Sequence, residues 1–382
     1  MSDRQESKKL LFTLWDYVPK EDPSRALVGG MVKNPAYLFE AIPEESFEKH
    51  SMTTSKDPVS EELSDPSRMI LDTRSYVGFF RFISRLHKFS RAAERLEPLD
   101  LVHAHTPALA PTFSRSGKLI VTAHGTHWPE FWANFRLSSL KDVFVLINAF
   151  VQFQIEKRIY RSADAVVSVS EFQVKELVED YGIDRSKVHV IYNGVNQDTY
   201  KVREHLNRDI DVLFVGRPVP KKGIEVLVEA LQRLNQDLNV VFVFGGGWVS
   251  TPNVAAQVTP EIESLGGIVK HSVSEETLAE LLSRSKILVA PSLGYESIPT
   301  VVFEAISSGA VPIATGKFGT TELLPPKLLL EEGDVEQLSL RLENVLKNLE
   351  DYQKLLDEVD LSKFTLSNCL ARHLNLYRSV LG

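Results

Sequence analysis

Residues 211–223 read Asp-Val-Leu-Phe-Val-Gly-Arg-Pro-Val-Pro-Lys-Lys-Gly, an apolar run that passes into a basic, glycine-bounded loop. The run Asp211–Val215 predicts a β-strand, and an amphipathic pattern that begins at about Ile224 predicts a helix. A strand that leads through a short loop into a helix is the unit from which parallel sheets covered by helices are built. This stretch therefore predicts an α/β fold.

The same alternation of short apolar runs and helix-length amphipathic segments extends along most of the chain in both directions. Helix patterns include Val226–Leu234, Glu276–Ser283 and Val335–Asn348. The segment Ser51–Asp65 is rich in Ser, Thr, Asp, Glu and Pro, and it predicts an exposed loop. The predicted strands are Lys9–Trp15, Asp100–His103, Leu119–Ala123, Ala165–Ser168, Val188–Tyr192, Asp211–Val215, Asn239–Phe244, Gly267–Lys270, Ile287–Ala290 and Val311–Ala314.

The clearest boundary lies near Asn193–Arg208, where a turn and a polar stretch without periodicity separate two sets of strands. Each set predicts its own doubly wound sheet, so we expect an N-terminal domain over residues 1–200 and a C-terminal domain over residues 201–363. Two such domains would face each other across a cleft. Because ligands of open parallel sheets bind beyond the carboxyl ends of the strands, functional residues are sought directly after strands.

The composition is that of an ordinary globular protein. Hydrophobic residues make up 43% of the 382 residues and charged residues 25%, which excludes global disorder. The balance of 43 Lys and Arg against 51 Asp and Glu gives a net charge of −8, which argues against non-specific nucleic-acid binding. The single cysteine, Cys369, fits a reducing compartment. With no signal-peptide core, and an apolar stretch at Val143–Val151 too short for a membrane span, we expect a cytoplasmic protein.

Two cations lie between the strand at Asp211–Val215 and the helix that follows it. Arg217 offers a planar set of donors and Lys222 a compact charge, and the N-terminus of a helix also favours anions. These groups could neutralise a diphosphate; the alternative is that they are solvated surface cations. The loop is not a Walker-type phosphate loop, because the order Gly-x4-Gly-Lys-Ser/Thr is absent.

Two carboxylates follow the predicted strand Ile287–Ala290. Glu296 falls in the loop, and Glu304 falls on a helix whose first turn would hold Pro299. Such a pair can hold two sets of hydroxyls, one on a sugar and one on a ribose, with a phosphate at the helix N-terminus between them. On spacing alone, the alternative that both carboxylates are merely exposed on the surface stays open.

Histidines follow two predicted strands of the first domain. We expect His103 and His105 to lie on alternate faces of one extended segment, and His124 to be a hydrogen-bonding group that faces the cleft. A metal site is not favoured, because no third ligand has motif spacing. The triplet Asp209-Ile210-Asp211 lies at the start of a strand, where a solvated strand entry is favoured over a cation clamp.

Taken together, these stretches resemble the family 4 retaining glycosyltransferases of the GT-B fold. Each match alone is weak, but their order and spacing are specific, and the resemblance is strongest from Ala163 to Leu324. It implies two Rossmann-like domains that face a cleft, and a final helix, residues 364–382, that packs back on the N-terminal domain. The matching stretches are Ser162–Ser170, Val190–Val195, Gly216-Arg217 with Lys222-Gly223, the E-x7-E motif Glu296–Glu304, and Ser308–Pro312.

The resemblance implies how the donor is held. Arg217 and Lys222 would bind the diphosphate of a nucleoside-diphosphate sugar, and Gly30, in the glycine pair 29–30 after the first strand, would let the backbone approach the phosphates. The nucleotide sugar is a co-substrate, and no cofactor is expected. Since the cations can stabilise the leaving diphosphate, the reaction would need no metal.

The resemblance also implies roles around the transferred sugar. Glu296 would hold its hydroxyls, Glu304 those of the ribose, and His124 would contact the sugar near the reacting carbon. The family retains anomeric configuration, with the donor phosphate deprotonating the acceptor on the same face. Glu296 is the only motif carboxylate near enough to act as a nucleophile instead, and its hydroxyl-binding role is favoured.

Two other functions stay open at this stage. The chain could be a sugar-nucleotide epimerase of the same fold, or a non-catalytic nucleotide-sugar-binding partner subunit. The acceptor, whether a glycan, a lipid-linked sugar or a small molecule, is not identified by the sequence. Four aromatic residues after His124 would either line an acceptor groove or form helix core: Trp128, Phe131, Trp132 and Phe135.

Residues 79–95 predict a basic amphipathic helix. Such a helix can lie in the lipid headgroup region, which would place the protein at the inner face of the membrane. The alternative is a helix that packs its apolar stripe on the sheet. The basic stripe is Arg81, Arg85, Lys88, Arg91 and Arg95, and the apolar stripe is Phe82, Leu86, Phe89 and Ala93, joined by Phe79 and Ile83.

Overall fold

The computed structural model divides the chain into two compact units. The first contains the described residues within 1–17, 31–192 and 367–382, and the second contains Gly30 and those within 193–366. No helix among the described residues is both long enough and apolar enough to cross a membrane. The structure describes residues 8–14, 30–55, 68–72, 78–111, 117–135, 140–203, 205–234, 236–245 and 252–382.

The first unit is built on a parallel sheet with the strand order β3-β2-β1-β4-β5-β6-β7. Its central strands are buried almost throughout, as expected when helices cover both faces of a sheet. The strands are β1 (Lys9–Leu14), β2 (Glu48–Ser55), β3 (Arg68–Asp72), β4 (Leu101–Ala104), β5 (Lys118–Ala123), β6 (Ala165–Ser168) and β7 (Val188–Val190).

The loop predicted over Ser51–Asp65 is wrong in its first part. Residues 51–55 belong to β2, which pairs in parallel with β1 on one side and with β3 on the other. Ser51, Met52 and Thr53 are buried. A strand with neighbours on both sides forms its backbone hydrogen bonds regardless of which side chains it carries. Threonine also favours strands, so the polar composition of this segment did not indicate a loop. Residues 56–65 lie outside the described residues.

Helices cover the first sheet. They are α1 (Gly30–Ala41), α2 (Gly78–Glu94), α3 (His127–Asn134), α4 (Leu140–Ser162) and α5 (Glu171–Glu179).

The apolar stripe of α2 faces inward. Phe82, Leu86, Phe89 and Ala93 are buried in the core of the first unit, so they are not available for insertion into lipid. Arg85, predicted to belong to a solvated stripe, is buried as well. Among the predicted basic residues whose side chains are described, Lys88, Arg91 and Arg95 are half-buried or exposed, and the side chain of Arg81 lies outside the description.

The second unit repeats the architecture with the strand order β10-β9-β8-β11-β12-β13, again all parallel. Its strands are β8 (Ile210–Gly216), β9 (Val240–Phe244), β10 (Ile268–His271), β11 (Ser285–Ala290), β12 (Val311–Thr315) and β13 (Leu329–Leu330). Its helices are α6 (Ile224–Leu234), α7 (Pro252–Ser264), α8 (Glu275–Arg284), α9 (Thr300–Ser307), α10 (Val335–Lys347) and α11 (Leu349–Lys354).

The strand orders of the two units correspond one to one, apart from the extra edge strand β7. Both follow the doubly wound order in which the chain starts at the centre, moves to one edge and then returns to build the other side. The predicted fold class, two Rossmann-like units, is confirmed. All ten predicted strands are present, with described ends that agree to within two residues and with Ala165–Ser168 matched at both ends, and β2, β3 and β13 were missed.

The last helix, α12 (Leu366–Leu381), belongs to the first unit although the chain reaches it from the second. Its buried side chains include Cys369, His373 and Tyr377. The Tyr377 hydroxyl lies 2.7 Å from Nδ1 of His103 on β4, and its ring meets Phe47 edge-on. This helix therefore completes the core of the first unit.

We predict that Tyr377→Phe lowers the unfolding free energy by about 1–3 kcal/mol, because it leaves a buried nitrogen of His103 without its partner. Urea denaturation followed by circular dichroism measures the change. Tyr352→Phe is the matched control, since the Tyr352 hydroxyl accepts an exposed hydrogen bond from the side-chain amide of Asn344. Equal stability of the two variants would contradict the assigned role of Tyr377.

Candidate functional site

The site in the second unit forms where the strand order reverses. β8 and β11 are neighbours, but the chain leaves β8 towards β9 on one side and leaves β11 towards β12 on the other. The loops that follow two such strands diverge and leave a crevice at the carboxyl edge of the sheet. Arg217 and Lys222 follow β8, and Glu296 follows β11, so the structure brings these three predicted residues to one edge.

Two loops meet at this edge. The backbone N–H of Leu293 donates to the carbonyl of Lys221 at 2.8 Å. Gly223 has φ = +65°, and a Cβ there would lie 1.9 Å from the carbonyl oxygen of Pro291. Only glycine fits both the left-handed conformation and this contact. The loop after β8 is thus held against the loop after β11.

Lys222 and Glu296 form an ion pair across the two loops. Both side chains are largely buried, with 21% of Lys222 and 12% of Glu296 exposed. The pair fixes a cation and an anion side by side on elements that are 74 residues apart in sequence. Arg217 is half-buried beside β8, and its side chain makes no ion pair with the described residues.

Glu304 lies on α9, in the fifth position of the helix, and is buried. The helix starts after Pro299, which supplies no side-chain cap, so the first N–H groups point out of the helix without a capping side chain. The predicted arrangement of Glu296 in the loop and Glu304 within the helix is therefore present. Their roles as hydroxyl-binding groups stay predictions.

The expectation of a solvated strand entry at Asp209-Ile210-Asp211 is wrong for Asp211. That side chain is buried, and it accepts hydrogen bonds from Lys286 at 2.6 Å and from the backbone N–H of Asn239 at 2.8 Å. Asp209 is exposed and accepts hydrogen bonds from two nitrogens of the Arg284 guanidinium, Nε and Nη2. The triplet anchors the start of β8 rather than facing the carboxyl edge.

In the first unit, histidines cluster at the carboxyl ends of β4 and β5. His103 contacts Tyr377 and, through Nε2, the Thr122 hydroxyl at 2.7 Å. His105 Nδ1 lies 3.1 Å from His124 Nε2, and the ring of His373 lies 5.4 Å from that of His103. The predicted residue His124 thus belongs to a network that reaches α12.

The expected alternate faces for His103 and His105 are wrong. Their ring centroids are 4.2 Å apart, and both rings pack against Phe12. Residues two apart on an extended segment point to the same side, because side chains alternate with a period of two. His105 and His373 are functional candidates that the sequence analysis missed. A correct use of that period would have found His105.

Burial keeps these imidazoles neutral. It lowers the pKa of His124 to about 3 and that of His373 to about 4. Burial and the neighbouring histidines also hold the pKa values of His103 and His105 well below the ordinary 6.5. A neutral imidazole can both donate and accept a hydrogen bond, which suits contact with sugar hydroxyls.

The aromatic residues after His124 divide between core and surface. Trp128 stacks on Phe153 of α4 at 4.6 Å, and Phe131 stacks on Phe135 at 4.8 Å. Trp132 is nearly half exposed. Helix core therefore accounts for Trp128, whereas an acceptor-binding role for any of the four stays a prediction.

Gly30 is the first residue of α1, and Gly29 lies outside the described residues. Within the described ranges, no three His, Cys, Asp or Glu side chains are arranged so that they could hold a metal ion.

Two family models cover most of the chain. The model described as Glycosyltransferase Family 4 matches residues 28–199, and the model described as Glycosyl transferases group 1 matches residues 196–358. The two matches meet close to the boundary between the units.

Curated relatives are similar over part of their length. An α-maltose-1-phosphate synthase of Mycolicibacterium smegmatis is 26% identical over 258 residues, which is 59% of this chain and 66% of that protein. An uncharacterized glycosyltransferase of Methanocaldococcus jannaschii is 24% identical over 352 residues, 87% of this chain and 88% of that protein. The matches to the first relatives span between about half and two thirds of their length.

Solved structures share the fold over nearly the whole chain. Sucrose-phosphate synthase from Thermosynechococcus elongatus superposes with a TM-score of 0.76 at 18% identity, covering 98% of this chain and 99% of that one. Anabaena HepE, solved with UDP and glucose, superposes with a TM-score of 0.72 at 15% identity, covering 97% and 100%. At these identities the likeness shows the GT-B fold alone.

We predict that the unfolding free energy falls as the pH drops below about 6.5. The four histidines stay neutral in the folded state but are protonated in the unfolded chain, so the stability that depends on their neutral form is complete above that pH and is lost below it. Below that pH, each histidine lowers the unfolding free energy by about 1.4 kcal/mol per pH unit, until the pH reaches the pKa of that histidine in the folded state. Calorimetry from about pH 7.5 to about pH 5 tests this over the range where histidine titrates.

A variant isolates the histidine effect. Burial raises the pKa of Glu156 to about 7, so this carboxyl takes up a proton in the folded state before it does so in the unfolded chain. Its effect is opposite to that of the histidines, because it increases the unfolding free energy as the pH falls through 7. Glu156→Gln should therefore lose stability more steeply with falling pH than the parent protein. A melting temperature of this variant that stays constant across the range would contradict the assignment.

Proposed function

Because the chain belongs to the family-4 type of glycosyltransferases, we propose that it transfers a sugar from a nucleoside-diphosphate sugar to an acceptor with retention of anomeric configuration. The relatives support this class of reaction by their names, which include α-maltose-1-phosphate synthase and D-inositol 3-phosphate glycosyltransferase. The donor would bind the second unit, at the carboxyl edge of β8 and β11.

One observation carries the proposal. The Lys222–Glu296 ion pair lies at the carboxyl edge of β8 and β11, where a doubly wound sheet binds nucleotides, and Arg217 follows β8 at the same edge. A diphosphate needs cations and backbone donors, and a sugar needs carboxylates that accept from its hydroxyls. In this arrangement a donor would reach both kinds of group at once.

The chemistry assigned to these side chains is electrostatic. As the bond from the anomeric carbon to the diphosphate breaks, negative charge develops on the leaving oxygen. Arg217, Lys222 and the uncapped first turn of α9 would stabilise that charge. Retention follows if the departing phosphate oxygen takes the acceptor proton on the same face, so that Glu296 is left to hold sugar hydroxyls.

The remaining assignments complete the proposal. Glu304, buried in α9, would accept from the ribose hydroxyls. The neutral His124 would contact the transferred sugar near the reacting carbon, and His105 would orient its ring through the 3.1 Å hydrogen bond between them. Gly30, at the first turn of α1, would let backbone N–H groups approach the phosphates.

Location and partners are part of the same proposal. A cytoplasmic location rests on the single cysteine, which is buried. Peripheral membrane association through residues 79–95 would use the basic residues of this segment whose side chains reach solvent, Lys88, Arg91 and Arg95, because the apolar stripe of α2 is buried. The proposed acceptor is a glycan, a lipid-linked sugar or a small molecule.

We predict that turnover persists in excess EDTA. Arg217 and Lys222 supply the positive charge that a divalent ion would otherwise provide to the leaving diphosphate. Donor consumption measured with and without the chelator tests this. Loss of turnover that manganese or magnesium restores would overturn it.

We predict that Lys222→Ala and Glu304→Gln each weaken donor use by roughly ten- to a hundredfold, the effect of losing about 1.5–3 kcal/mol from a charge-assisted contact. Initial rates over a panel of nucleotide sugars, including slow donor hydrolysis, measure the change. Lys327→Ala and Glu358→Gln are matched controls, because both side chains are exposed in the same unit.

The same panel separates the alternatives. An epimerase would return an isomerised nucleotide sugar, and a non-catalytic subunit would bind donor without consuming it. Unchanged donor kinetics in both Lys222→Ala and Glu304→Gln would show that the site is assigned to the wrong residues.

A further inference from the structure

Helix α4 has an unusual composition for a helix at the surface of a unit. From Val143 to Ile155 it carries no charged side chain, and its only polar residues are Asn148, Gln152 and Gln154. A helix that packs on a sheet with one face usually shows charged or polar residues on the other. In this segment apolar residues lie on both faces.

The inner face of α4 is accounted for by the core of the first unit. Ala149, Phe153 and Tyr160 are buried there. On the outer face, Phe144 is 63% exposed, Ile147 is 56% exposed, and Val151 follows at helical spacing. The outward side of the first half of α4 is therefore a continuous row of large apolar side chains.

Aromatic rings of α3 extend this row. Trp132 is 47% exposed and meets Trp128 edge-on, and Trp128 in turn meets the half-exposed Phe150. We refer to Phe144, Ile147, Phe150, Val151 and Trp132 as the α3–α4 apolar face. A contiguous exposed apolar surface is typical of sites that bind a membrane or another protein, and tryptophan is enriched at such interfaces.

Exposed basic residues lie on α4 and on the neighbouring helix α2. Arg158 is exposed two turns beyond Val151 on the same side of α4. α2 contacts α4, and Arg91 on α2 and Arg95 directly after it are exposed, with Glu94 between them. In a chain whose net charge is −8, exposed basic residues on these two helices indicate an anionic partner.

We propose that the α3–α4 apolar face docks on the surface of a lipid bilayer that contains anionic lipids. The apolar side chains enter the boundary between headgroups and acyl chains, and Arg91, Arg95 and Arg158 meet the anionic headgroups. The proposal moves the lipid-inserting element from α2, whose apolar stripe is buried, to α4. It does not depend on the transferase activity, since binding is measured without substrate.

Vesicle sedimentation tests the proposal with the full chain. Wild-type protein should sediment with vesicles of phosphatidylcholine and phosphatidylglycerol, more strongly at low salt, and less with phosphatidylcholine alone. The double variant Phe144→Ser/Ile147→Ser should bind the mixed vesicles about a hundredfold more weakly, about tenfold for each side chain withdrawn from lipid.

The matched control is Ile268→Ser/Leu340→Ser, which removes two residues of the second unit that are 55% and 59% exposed. This control should bind like wild type. Equal binding of the two double variants, or no binding by the wild type, would overturn the proposal. So would a wild-type dimer that Phe144→Ser/Ile147→Ser converts to a monomer without any lipid binding, since a second copy would then occupy the face.

A second measurement does not depend on the folding of the serine variant. The only native cysteine, Cys369, is buried, so a thiol-reactive, environment-sensitive dye will label an introduced cysteine selectively. The emission of labelled Ile147→Cys should shift to the blue on addition of the mixed vesicles, whereas that of labelled Leu340→Cys should not. The absence of a shift at residue 147 would contradict insertion of this face.

Discussion

The parallel pairing of β8 with β11 is the interaction on which the candidate site depends. Its register places Phe214 opposite Val289, so the two strands end at the same level. The loops that leave them turn to opposite sides of the sheet, yet remain in contact through Gly223 and the carbonyl of Pro291. The ion pair between Lys222 and Glu296 follows from this geometry, because each residue lies a few positions beyond the end of its strand.

The sequence was sufficient for the parts of the fold that repeat. Buried parallel strands are short apolar runs, and each is separated from the next by a helix pattern, so ten strands and the doubly wound order could be predicted. β2 could not be predicted from its residues, because Ser51 and Thr53 are buried by neighbours on both sides. β13 has only two residues and no pattern of its own.

The candidate site likewise has some features that the sequence could predict and others that it could not. The sequence could predict that Arg217, Lys222 and Glu296 lie at one edge of the sheet, because each follows the end of a strand. It could also predict that Glu304 lies on the next helix, whereas the binding roles of these residues stay predictions. The partners of the histidines could not be predicted, since the contact between His103 and Tyr377 joins residues 274 positions apart. The pairing of Asp211 with Lys286 and the burial of the α2 apolar stripe likewise depend on tertiary packing, which no local pattern specifies.

The central claim is that the carboxyl edge of β8 and β11 binds the donor diphosphate. Hydrogen–deuterium exchange of the intact chain, with and without a nucleoside diphosphate such as UDP, ADP or GDP, tests it most directly. The account predicts slower exchange in the two loops at 217–223 and 291–299 and in the first turn of α9. Unchanged exchange in all three segments, with every diphosphate at saturating concentration, would contradict the claim.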